Sequence, residues 1–73
     1  MPQSLKHQKI IGDSIRRYRK QVGFSQEKLA EKADLHPVYL GEVERGEKAV
    51  SLCALIRIAK ALKVRLGDLV EDV

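Results

Sequence analysis

Two short amphipathic segments, Gln26 to Ala33 and about Pro37 to Arg45, stand only three residues apart, separated by Asp34-Leu35-His36. Isolated helices shorter than about 12–15 residues are marginal in water. Each must therefore bury its apolar stripe against the other and against a core supplied by the rest of the chain. Ser25 is placed to cap the first, and Glu27 falls in its first turn, where the helix dipole favours an anion. Leu29, Ala30 and Ala33 make its inner face. Pro37 suits the first position of the second helix, since its missing N–H would have no partner there. Leu40 and Val43 turn inward and Gly46 stops the helix. Ala30 is the pivot: a small side chain lets the second helix approach, while Leu29, Ala33, Leu35, Leu40 and Val43 seal the crossing.

The same spacing of three and four runs through the rest of the sequence, with only two prolines and little β-branched alternation. An all-α fold is expected. Ile11, Ile15, Tyr18 and Val22 form one stripe, ended by Arg19-Lys20 and Gly23, so a first helix spans roughly 8–22. Ser51 caps a fourth helix with the stripe Leu52, Leu55, Ile58, Ala59 and Leu62, and Leu66 with Leu69 implies a short fifth. The helical domain is expected over 9–70. Residues 1–8 read as an N-terminal arm carrying Lys6 and His7, with Lys9 at its junction, and 71–73 as a tail. Seventy-three residues are expected to make one small domain, without a separate sensor. Domains of this size bury only about 60% of their unfolded surface, which favours pairing.

Charge is unevenly spread. Of the net +4, residues 1–23 hold Lys6, Lys9, Arg16, Arg17, Arg19 and Lys20 against Asp13 alone, which leaves the remaining fifty slightly acidic. A basic segment suits a polyanion, though an uncommitted solvated face would look the same. Cys53 is the only cysteine, so no intrachain disulfide exists; it reads as a small semi-buried residue starting helix four. The longest apolar run, Leu52 to Ile56, is far too short for a membrane span, and a cytoplasmic protein is expected. His7, His36 and Cys53 show no metal-ligand spacing, and no nucleophile–base order or phosphate loop is present. No enzyme, cofactor, metal or small-molecule effector is expected.

The blocks Ser25-Gln26-Glu27-Lys28-Leu29-Ala30, Leu35, Leu40-Gly41-Glu42-Val43-Glu44-Arg45-Gly46, Ser51-Leu52 and Ile58-Ala59-Lys60-Ala61-Leu62 resemble the helix-turn-helix of phage-repressor-like and Cro-like DNA-binding domains. The resemblance covers about residues 9–70. It departs at Asp34, where glycine is usual, and at Ala49-Val50, where asparagine-proline is usual. Small controllers of restriction-modification systems share the architecture, as do phage-type repressors and antitoxins. What the resemblance implies is a compact five-helix, lambda-repressor-like domain whose third helix enters the major groove of double-stranded DNA.

Carried over by position, Pro37, Val38, Tyr39 and Glu42 would read bases. None is a long donor, but Val38 suits a thymine methyl and Glu42 a cytosine amino group. Plain alternatives stand beside these: Val38 as a rim residue, Tyr39 as a core-edge aromatic, Glu42 as a solvated carboxylate pairing with Arg45. Ser25 and Gln26, at the start of the second helix, would lie beside a phosphate, with Lys28, Arg45 and Lys48 as further phosphate contacts. Arg16, Arg17 and Lys20 are expected off the main contact surface. Arg19 and Glu44 are the implied buried pair. A homodimer on an inverted repeat is expected, with Ile56, Leu66, Val70 and Val73 as its apolar patch. The rival reading is a protein-interaction module on the same fold.

Overall fold

The computed structural model describes residues 3–73, with side chains described from residue 5. Five helices follow in order: α1 (Gln3–Gln21), α2 (Gln26–Ala33), α3 (Pro37–Glu44), α4 (Leu52–Leu62) and α5 (Leu66–Leu69), with no strand among the described residues. The caps are chemical. Ser25 accepts from the Lys28 N–H and Ser51 from the Ala54 N–H, satisfying donors that the first turns of α2 and α4 leave free. At α3 the cap is His36, whose Nδ1 accepts the Val38 N–H at 3.1 Å, with Pro37 in the first turn.

The core is one cluster to which every helix contributes: Ile15 from α1, Leu29 and Ala30 from α2, Leu40 and Val43 from α3, Leu55, Ile58 and Leu62 from α4, and Leu69 from α5. Ala30 is fully buried where α2 packs on both α3 and α4. On the other side α3 lies against α1, and the contact is close because of Gly12. A Cβ there would stand 2.3 Å from the Val43 carbonyl oxygen, so any larger residue forces the helices apart. Gly46 has a left-handed φ of 76° and turns the chain away from α3 against Lys9.

Several expectations are corrected. α1 is helical from Gln3, so most of the segment read as an arm belongs to the helix; residues 1 and 2 lie outside the described residues. Val22 is 46% exposed rather than part of the α1 stripe, because it follows the helix's last turn. Leu52 is 64% exposed and Cys53 is exposed. Both occupy the first turn of α4, ahead of the point where that helix meets the core at Ala54 and Leu55. Arg45 caps α3 instead of ending it. The left-handed turn falls on Asp34, at φ 56° and ψ 49°, where glycine is usual in the resembled family.

Candidate nucleic-acid interface

α2 and α3 present one shared surface. Gln26 opens α2; Pro37 and Val38 open α3; Gly41 and Arg45 lie one and two turns further along α3. These five residues line a shallow notch of about 320 Å³ across the crossing. Val38 is 62% exposed, because Leu40 and Val43 commit the opposite face of α3 to the core. Pro37 is also exposed. Tyr39 sits at the core edge: its ring packs on the cluster and its hydroxyl accepts the Ser51 N–H at 3.1 Å, tying α3 to the start of α4. Glu42 is half-buried and turns to Lys48, 3.5 Å away, and not to Arg45.

Arg45 is held instead by Glu47. Its Nε donates to Oε2 at 2.8 Å and its Nη2 to Oε1 at 3.2 Å, a two-pronged pair made at the surface. The hydrogen bond from Arg45 holds the Glu47 carboxyl below its ordinary range, and Glu47 in turn raises Arg45. Lys28 pairs with Glu31 at 3.3 Å. All three cations expected at phosphates, Lys28, Arg45 and Lys48, thus have a carboxylate partner in the free protein. Sequence reasoning missed all three partners; Glu31, three residues after Lys28 on α2, and Glu47 and Lys48, just past the glycine that turns the chain back, were the available signals.

Beneath this surface Arg19 and Glu44 form a buried pair, their side chains 10% and 1% exposed. Arg19 Nε donates to Glu44 Oε2 at 2.8 Å and Nη2 to Oε1 at 3.0 Å, while Nη1 donates to the Phe24 carbonyl at 2.9 Å. Gln26 Nε2 adds a third bond to Glu44 Oε1 at 3.0 Å. No buried side-chain nitrogen or oxygen among the described residues lacks a partner. The pair therefore locks the end of α3 to α1 and to the first residue of α2.

A polar cleft of about 530 Å³ adjoins this pair, and Lys9, Arg16, Gln26 and Arg45 are among its walls. Arg16, expected off the contact surface, shares this cleft with Gln26. Arg17 lies elsewhere, 3.8 Å from Asp72, and Lys20 is exposed.

Away from this face, Ile56 and Leu66 are each 37% exposed and Val73 is 52% exposed, whereas Val70 is half-buried and packs on the core. Leu52 and Cys53, one turn before Ile56, extend its exposed side of α4. No group of three or more metal-binding side chains occurs among the described residues, and no helix is long and apolar enough to cross a membrane.

The helix-turn-helix family profile matches residues 15–69, taking in the α2–α3 crossing and its core. The chain belongs to the helix-turn-helix family. Among its relatives, the control protein C.SmaI of Serratia marcescens is 45% identical over 60 residues, spanning 82% of this chain and 71% of that protein. The crystal structure of the restriction-modification controller protein C.AhdI from Aeromonas hydrophila superposes with a TM-score of 0.83 at 37% identity, over 85% of this chain and 94% of that one. SinR, the master regulator for biofilm formation, solved in complex with DNA, superposes at 0.78 and 37% identity over 81% of this chain and 95% of that one. This helix-turn-helix chain therefore shares its fold with DNA-binding regulators.

Proposed function

We propose that this chain is a sequence-specific, DNA-binding transcriptional regulator of the cytoplasm that acts as a homodimer on an inverted repeat, in the manner of a small controller protein. One observation carries the reading: α3 holds the exposed Val38 on its first turn beside the start of α2, so a major groove admitting α3 brings a phosphate to Gln26. Likeness to control proteins and to a DNA-bound regulator supports it.

In this reading Val38 and Pro37 make apolar contact with base edges, while Glu42 accepts from a cytosine amino group after leaving Lys48. Tyr39 reads from the edge of the groove, its hydroxyl keeping one hydrogen to donate. Ser25, Gln26, Lys28, Arg45 and Lys48 hold the backbone, and the Arg19–Glu44 pair keeps α3 at its angle. Two copies meeting through Ile56, Leu66, Val70 and Val73 would set half-sites about 34 Å apart.

The test is fluorescence anisotropy with duplexes selected from a random pool, over a range of salt. Tight binding to the selected duplex that weakens steeply with salt and falls with Gln26→Ala is the expected result. Equal, weak affinity for every duplex would favour the protein-interaction module instead.

A further inference from the structure

Glu44 ends α3 at 3% exposure and accepts three side-chain hydrogen bonds, two from Arg19 and one from Gln26 Nε2. The two from Arg19 neutralise a charge that burial would otherwise penalise. The third has another effect. An ionised carboxylate offers only acceptors, so the Gln26 amide meets it one way round, nitrogen towards Glu44 and oxygen away. The oxygen then sits over Gly41: a Cβ at position 41 would stand 3.5 Å from Gln26 Oε1 and 3.2 Å from Arg45 Nη1. Glycine at this point in α3 gives the amide and the guanidinium room to converge.

A carboxamide nitrogen carries two hydrogens, and Glu44 takes one. We propose that Glu44 is a positioning residue for DNA binding, fixing the Gln26 amide so that its second N–H faces a backbone phosphate beside Arg45. The proposal rests on the reading above, in which Gln26 lies at a phosphate, and adds what aims it. A glutamine side chain free in solution must be ordered when it binds; one already held on Glu44 has been ordered in folding. Arg19 is part of the device. Without its two bonds, a bare carboxylate next to the phosphate would repel it; with them, the pair is neutral and only the amide reaches outward.

The test is a double-mutant cycle on affinity for the selected duplex, using the unaltered protein, Gln26→Ala, Glu44→Gln and the double variant. Glu44→Gln keeps the shape and an oxygen for Arg19 but lets the Gln26 amide turn over. Each single change is expected to weaken binding about fivefold or more. In the Gln26→Ala background, Glu44→Gln is expected to add no further loss. An undiminished loss there overturns the proposal, since Glu44 would then act only as a strut for α3. No effect of Gln26→Ala at all removes the reading beneath it, a distinct result. Should Glu44→Gln not fold, side-chain ¹⁵N relaxation in the unaltered, DNA-free protein decides. The Gln26 amide is expected to be nearly as rigid as the backbone, with an order parameter of about 0.8, and the exposed Gln21 amide below about 0.6. Equal mobility of the two overturns the proposal.

Discussion

Removing the Glu44 carboxylate strands Arg19, whose side chain is 10% exposed and whose remaining partner is a single carbonyl. Breaking one side of a buried pair leaves an uncompensated charge, and Glu44→Ala is expected to lower stability by about 3–5 kcal/mol, measured by urea titration. That is a large share of the roughly 5–15 kcal/mol available to a small domain. A loss below about 1 kcal/mol would mean that water reaches Arg19 readily. At this scale the sequence was only partly legible. Helical spacing sets Glu44, four residues past Leu40, on the inner face of α3 and Glu42 on the outer one, but it names no partner for a carboxylate there; Arg19 was supplied by the resemblance alone. Cys53 and Leu52 were misplaced for a related reason. Their apolar character fits the α4 stripe, but a helix's first turn can precede its contact with the core, and composition cannot locate that contact.

Helix ends explain most of what was legible in the elements. α2 and α3 were readable nearly to the residue, because Ser25, Pro37 and Gly46 are strong start and stop signals. The start of α1 was not. Residues 3–9 carry no apolar stripe, yet glutamine, lysine and leucine are good helix formers and extend a helix already nucleated at Ile11 and Ile15. The end of α4 carries no sequence signal either, since Lys63 takes the left-handed cap at φ 59°. A non-glycine residue there is strained by about 1–2 kcal/mol. Lys63→Gly is accordingly expected to raise stability by about 1 kcal/mol, seen as an increased urea midpoint with unchanged slope. Gly12→Ala should act oppositely, by about 1–3 kcal/mol, because its Cβ meets the backbone oxygen of Val43 and neither helix has slack to give. Gly41→Ala is the control: its Cβ meets the movable end of Arg45, so the fold should hold.

For the whole molecule, the five-helix architecture followed from patterning, since each short helix had to find the same core. Association was less legible, because an exposed Ile56 or Leu66 looks the same in a sequence whether it meets solvent or another copy. Ile56→Asp is expected to give a monomer at micromolar concentration in sedimentation velocity, and affinity for the inverted repeat about a hundredfold lower or worse. An unaltered protein that sediments as a monomer under the same conditions would remove the two-fold model. The pairing of Lys28, Arg45 and Lys48 with Glu31, Glu47 and Glu42 bears on how this surface meets a duplex. Each lysine or arginine brings its own tethered counter-ion, and of the carboxylates abandoned, Glu31 and Glu47 must recruit a cation from solution. Ion uptake then offsets part of the ion release from DNA, and the logarithmic salt slope should fall short of what three neutralised phosphates per protomer would give.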